Sequence, residues 1–441
     1  MVTCVPTSTA SVTIRKETRL DGHRERVFDL SWSPTGPCRL ASVGQTCGIV
    51  WSLGVDGSVT SRTRLPGSEL MRVCWHPDGD KVLTGSSEGK ISICDATDGS
   101  MLSALQASTD HEVYGLAMLS RDGLLAAGAG EHVQLWDLNR ETKFAQAQLA
   151  MDAENGVIFG GPDRNPERKA FLFSLAARGR ALCAALSDGT VRLLDSQTLQ
   201  HIQTLDEHAR RGSAVFSVAI SPTAPQLATS DAKGHVMLWD LRHVGKGPLA
   251  ERTHPSAVHS LAFVSGLCSS SSAEMLVTGG ADRRLRVLET RTAGLACEGS
   301  ATVVSALLCM APTMAVDEAG APTLRLATGG GSGGLVSDAG VTLWRLAGPP
   351  ETNESVAEPS SSPEVATSSP GVASQTQHAG EDECEGAGAG TGHSKTGRVA
   401  ETIAGTGHSK TGRVAETVAE KRRRRNVDEA DEEMVCGICS S

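Results

Sequence analysis

The chain has 441 residues, a formal charge of −10 and only 3% aromatic residues, among them a single tyrosine. The charge is uneven: residues 347–441 hold 9 Lys/Arg against 16 Asp/Glu, so the body before them is nearly neutral. A neutral body argues against duplex nucleic acid as its main ligand, because phosphate neutralisation needs clustered Lys and Arg.

The opening stretch MVTCVPTSTA has neither the basic start nor the apolar centre of a secretory signal, and residues 1–10 read as a flexible terminus. The longest apolar run, around 303–316, is broken by Ser305 and Pro312, so no membrane span is expected. Twelve cysteines are scattered, mostly inside apolar runs (Cys38, Cys47, Cys74, Cys94 and Cys183 among them). That usage suits small buried hydrophobes in a reducing compartment better than a disulfide framework, and the protein is expected to be soluble and intracellular.

Next in chain order, SVTIRKETR (Ser11 to Arg19) alternates as a strand. From Val27 a module begins to recur. Its clearest copy is VFSVAISPTAPQLATSDAKGHVMLWDL (Val215 to Leu241): an alternating apolar strand, a Ser-Pro turn, a second strand, a tight polar turn and a third strand ending in Trp-Asp. Similar stretches start at Val27, Leu70 and Val113, and weaker ones at Ala170, Val258 and Val303. The first apolar residue and the closing Trp-like position stand 24 apart in four of them: Val27 to Trp51, Leu70 to Cys94, Ala170 to Leu194 and Val215 to Trp239. Seven units result, and a period of this length is the mark of a repeat architecture.

The units resemble WD-repeat β-propellers, on the Trp136-Asp137 and Trp239-Asp240 endings and the Gly22-His23 start. The resemblance spans residues 11–346 and implies an all-β, seven-bladed β-propeller, with 11–19 closing the last blade as a fourth strand. The family's hydrogen-bonded set of His, Ser or Thr, turn Asp and Trp reads as complete in no unit, since turn Asp occurs at Asp188, Asp282 and Asp338. A modestly stable propeller is therefore expected. Insertions at 155–169, 266–273 and 312–322 read as surface loops.

From about Gly348 the composition turns to Ser, Pro, Glu, Gly and Ala, and residues 347–441 read as a low-complexity disordered tail. It contains a duplicated 15-residue unit (390–404 and 405–419) that lacks the glycine spacing of a phosphate loop. The run Lys421, Arg422, Arg423, Arg424 and Arg425 reads either as a nuclear-import signal or as a solvated charge run beside the acidic DEADEE. An import signal would place the protein in the nucleus or in both compartments. Ser362 and Ser369, each before a proline, are candidate phosphorylation sites. Cys436 and Cys439 form a lone CxxC without a second half, which does not make a metal site.

Nothing in the chain makes a case for catalysis, a cofactor or a metal. GGSGG (330–334) fits the GxSxG pattern, yet it falls between two strands rather than at the strand-to-helix turn that exposes a nucleophile, so Ser332 is not expected to act as one. His23, His111, His208 and His254 stand at unit starts, a structural position in the resembled family.

Binding is expected instead. In WD-repeat propellers the residue after the first apolar position of the innermost strand tends to line the channel mouth. Alignment puts Phe28, Met71, Tyr114, Phe171, Phe216, His259 and Val304 there. Aromatic and Met side chains are typical of recognition hot spots, so the ring reads as a seat for a peptide or partner loop; the alternative is that it plugs the channel. A second candidate surface is Trp239, Asp240 and Arg242, spaced as in substrate receptors of cullin-RING ubiquitin ligases, although Lys233 stands where that motif usually has Asp. The expected function is a non-enzymatic protein-interaction scaffold. The alternatives are a ligase receptor that contacts its adaptor through Arg242, or a subunit of a nuclear RNA-processing or export assembly whose tail touches RNA.

Overall fold

A computed structural model describes residues 12–36, 38–149, 170–267, 274–291, 295–316, 322–331 and 340–348. Alternating apolar strands and short polar turns give seven four-stranded antiparallel sheets. The first strands of the sheets are Val27–Trp32, Leu70–Trp75, Val113–Met118, Leu172–Arg178, Val215–Ile220, Val258–Val264 and Leu307–Val316. Each packs against the first strand of the next sheet, and the seventh returns to the first. Seven inner strands closed into a ring around one axis make a seven-bladed β-propeller, as the repeat implied.

The core is divided among the gaps between blades. Trp136 of the third blade packs with Leu83 and Ile93 of the second, and Trp239 of the fifth with Cys183 and Leu193 of the fourth. Trp51 and Trp239 are each 1% exposed, and each fully buried side chain of this size stabilises by a few kcal/mol. The buried thiols take part in the same packing: burial raises the Cys183 pKa to about 12, which keeps it a protonated, inert hydrophobe.

The ring closes with a strand from the start of the chain. Thr13–Leu20 pairs antiparallel with Gly340–Ala347 as the outermost strand of the seventh sheet, starting two residues and ending one residue after the expected 11–19. A two-headed ion pair fastens it. Glu17 accepts from Arg325 Nε at 2.8 Å and from Arg345 Nε at 2.7 Å, and Arg325 is only 2% exposed.

Two expectations are corrected. The stretch 312–322 is not a surface loop over most of its length: the seventh inner strand runs through Pro312 to Val316, and its partner starts at Pro322. A proline is tolerated there because an inner strand has a sheet neighbour on one side only. Of the other two insertions, 155–169 lies outside the described residues, and so does 266–273 apart from Gly266 and Leu267.

The hydrogen-bonded set is also complete in one blade, the fifth. His208 Nδ1 bonds Asp231 Oδ2 and His208 Nε2 bonds Thr229 Oγ1, both at 2.8 Å, while Trp239 Nε1 donates to Thr229 Oγ1 at 3.0 Å. The turn position expected to hold the acid is Lys233; the carboxylate comes instead from Asp231, the last residue of the second strand. Burial alone would raise the pKa of Asp231, but hydrogen bonds from His208 and His235 hold it at about 2. Other blades keep fragments of the set. His23 Nε2 and Trp51 Nε1 both reach Ser42 Oγ, at 2.7 and 2.8 Å, with Gly44 in the acid's place. In the second and sixth blades Cys94 and Leu288 replace the tryptophan. There the Thr84 and Thr278 hydroxyls are buried without a hydrogen-bond partner among the described residues.

Candidate functional site

Each of the seven inner strands carries a β-bulge at the same place. The register with the second strand slips by one residue between Val27 and Asp29, Leu70 and Arg72, Val113 and Gly115, and correspondingly in the other four sheets. A bulge leaves one residue unpaired and re-aims its side chain. The residues so released are Phe28, Met71, Tyr114, Phe173, Phe216, His259 and Leu308, all half-buried. The expected ring is thus a ring of bulge residues, with two members exchanged.

In the fourth blade the bulge holds Phe173, not Phe171. The inner strand begins with Leu172, which pairs with Leu186 as Val215 pairs with Asp231, and the turn after it, Gly179-Arg180, is shorter than its counterparts. Extending the 24-residue spacing to Ala170 therefore started the blade two residues early. Phe171 lies just ahead of the strand, edge-on to His111 with ring centroids 5.6 Å apart. In the seventh blade Leu308 takes the place assigned to Val304, which sits in the entering loop at 63% exposure.

Four members touch in succession. Tyr114 and Phe173 meet edge to face with centroids 6.2 Å apart, Phe173 and Phe216 likewise at 5.6 Å, and Phe216 stacks on His259 at 5.1 Å. Burial lowers the His259 pKa to about 4, so its ring is neutral at pH 7 and continues the apolar surface. The arc therefore spans the third to sixth blades without a charge.

Phe173, which the sequence reading missed, joins both halves of this arc. The signal that could have found it is the bulge register itself: an apolar residue, a released residue and then a small or polar one, as in Leu172-Phe173-Ser174 and Val215-Phe216-Ser217.

Below the arc Arg72 braces the blades. Its Nη1 donates to Met71 O at 3.1 Å, its Nε to Tyr114 O at 2.8 Å and its Nη2 to Phe173 O at 2.6 Å, so one guanidinium serves the carbonyls of three successive bulge residues. The same guanidinium lies 6.0 Å from the Tyr114 ring centroid. Asp29 occupies the equivalent position in the first blade and accepts from Val73 N at 2.9 Å. Burial pushes its carboxyl pKa up, opposed by the charge of Arg72.

The second candidate surface is separate from the mouth. Arg242 lies on the connection leaving the third strand of the fifth blade, at the sheet end opposite the bulges. Its side chain is 68% exposed and grips Asp240 with both Nε and Nη2 at 3.0 Å. These bonds hold the Asp240 pKa well below the usual carboxylate range. Trp239 is buried, so of this trio Arg242 offers the most surface. Ser332, Ser362, Ser369, the basic run 421–425 and the terminal CxxC all lie outside the described residues.

The WD domain, G-beta repeat family model matches residues 14–59, 199–240 and 252–288, and the model of the anaphase-promoting complex subunit 4 WD40 domain matches 45–120. Among curated relatives, WD repeat-containing protein 25 of Mus musculus is 24% identical over 286 residues, covering 63% of this chain and 50% of the relative. Cilia- and flagella-associated protein 52 of Mus musculus is 29% identical over 106 residues, 23% of this chain and 16% of the relative. U3 small nucleolar RNA-associated protein 15 homolog of Gallus gallus is 24% identical over 217 residues, 49% of this chain and 36% of the relative. The chain thus spans half or less of the length of these relatives. Among the described residues no helix is long and apolar enough to cross a membrane.

Proposed function

We propose that this chain, a WD-repeat β-propeller, is a non-enzymatic protein-interaction scaffold that holds a peptide or loop of a partner on the bulge ring at its channel mouth. The carrying observation is where the aromatics are. The sole tyrosine and three of the seven phenylalanines, Phe28, Phe173 and Phe216, occupy one equivalent bulge position in four blades. Three residues further along the same strands stand the small, partly exposed Ser31, Ala117, Ala176 and Ala219. Large, half-exposed side chains with few rotamers offer contact area at low entropy cost, which is what recognition hot spots need.

Affinity capture with the full-length chain tests this reading. A Tyr114→Ala, Phe173→Ala, Phe216→Ala variant is compared with wild type and with Phe144→Ala, which removes an exposed aromatic on an outer strand. The ring variant is expected to lose partners that wild type and Phe144→Ala both retain. A folded ring variant that keeps every partner refutes the proposal.

The exposed Arg242 supports a second reading, a receptor for a cullin-RING ligase adaptor. It predicts co-purification of the adaptor, lost on Arg242→Ala. A nuclear assembly role draws on the basic run 421–425 and on the nucleolar RNA-associated relative.

A further inference from the structure

The rim beside the Tyr114 end of the apolar arc is acidic. The residue just ahead of each inner strand stands two positions before the bulge residue, at the same end of the sheet. It is Arg26 in the first blade, Glu69 and Glu112 in the second and third, Phe171 in the fourth, and alanine (Ala214, Ala257, Ala306) in the last three. In antiparallel sheets the loops that enter inner strands and those that join second to third strands lie at the same end as the bulges. In the second and third blades these loops, 66–69, 87–89, 107–112 and 130–131, contain Glu69, Glu88, Asp110, Glu112 and the buried Glu131 and no Lys or Arg. Glu88 is neutralised by Lys90 at 2.8 Å. Glu69, Asp110 and Glu112 have no ion-pair partner among the described residues.

Glu69 is also held in place. Its backbone is in the left-handed region at φ 50°, an uncommon conformation for a residue with a side chain. Its N–H donates to Gln45 O at 2.8 Å, its carbonyl accepts from Ser87 N at 3.0 Å, and its carboxylate takes the Ser87 hydroxyl at 2.7 Å. The Arg72 guanidinium is committed to three carbonyls and faces Asp29. The Tyr114 end of the arc is therefore negative, whereas at the Phe216 end the loops 206–214 and 232–234 carry Arg210, Arg211 and Lys233 beside Asp206 and Glu207.

We infer that the mouth takes a peptide with an apolar anchor and a Lys or Arg a few residues away, the anchor on the Tyr114, Phe173, Phe216 and His259 arc and the cation between Glu69 and Glu112. The inference rests on the mouth being the binding site. It specifies a polarity that the ring alone does not: the acidic side adds orientation and association rate, the arc adds contact area. An acidic or phosphorylated peptide would meet like charge at the same place.

Selection of a phage-displayed random 12-residue library on the full-length chain tests it. Enriched peptides are expected to combine Leu, Phe, Trp or Met with at least one Lys or Arg. A synthetic copy is expected to lose binding to the Tyr114→Ala, Phe173→Ala, Phe216→Ala variant, and to bind Glu69→Lys, Glu112→Lys about tenfold or more weaker, with a shallower salt dependence. Thermal melts confirm that each variant is folded. Peptides that need the aromatic arc but show no basic enrichment, or bind the charge-reversed variant unchanged, overturn this inference and leave the mouth reading standing. If no enriched peptide depends on the arc, the mouth reading and the inference fail together.

Discussion

The same substitution at equivalent positions is expected to act in opposite directions in different blades. Thr229 and Thr84 occupy matching sites in the second strands of the fifth and second blades, and both are 0% exposed. Thr229 Oγ1 accepts the Trp239 indole N–H at 3.0 Å and meets His208 Nε2 at 2.8 Å. Valine is nearly isosteric but lacks the hydroxyl, so Thr229→Val leaves two buried polar groups unpaired. At about 1–3 kcal/mol for each group stranded, and with some relaxation, the loss should be about 2–4 kcal/mol. In the second blade Cys94 stands where the fifth has tryptophan, and the Thr84 hydroxyl has no hydrogen-bond partner among the described residues. Thr84→Val removes that stranded group, so it should be neutral or stabilising by up to about 1 kcal/mol. Urea unfolding followed by tryptophan fluorescence measures both, compared at unchanged m. The midpoint should fall for Thr229→Val and hold or rise for Thr84→Val. A shift of both in the same direction by similar amounts would show that the hydrogen-bonded set does not govern stability at this position.

Two further outcomes follow from buried charge. Glu17→Ala should cost about 3–5 kcal/mol, because it strands the buried guanidinium of Arg325 and unfastens the closing strand; deletion of residues 1–20 should go further and give insoluble protein, since it uncovers a sheet edge. A Glu17→Ala melting temperature equal to wild type, or a soluble deletion that melts cooperatively, refutes that account of closure. Stability should also fall on mild acidification. Burial lowers His23, His254 and His259 to about 4 from an ordinary 6.5, so between those values the unfolded chain takes up protons that the folded chain resists, and each site costs up to about 3 kcal/mol. Below about pH 4 Asp231, held near 2 against an ordinary 3.8, adds a further loss of about 2 kcal/mol as it protonates. Denaturant midpoints at pH 7, 5.5 and 4.5 check this, and a flat profile over that range contradicts it.

Much of the architecture is legible in the chain itself. Strand alternation, turn chemistry and a closing Trp-Asp are local signals, and their recurrence gives the seven blades; the resemblance adds the closing strand, expected at 11–19 and found at Thr13–Leu20. The mouth was legible where the unit has its usual length, as at Phe28, Met71, Tyr114 and Phe216. It was misread by two residues at Phe171, where the turn at Gly179-Arg180 is short, and at Val304, where the seventh hairpin extends through Val316. A fixed spacing carries no information about a turn that changes length.

Periodicity therefore determined which segments become strands and in what order they stack, because alternation and turn residues act over a few positions. Tertiary structure decided what depends on groups distant in sequence: Glu17 reaching Arg325 across 308 positions, Asp231 completing a set begun at His208, and Arg72 joining the carbonyls of three blades. Above all it placed Phe173 rather than Phe171 between Tyr114 and Phe216, since a bulge is set by the pairing of two strands and exists only once they have met.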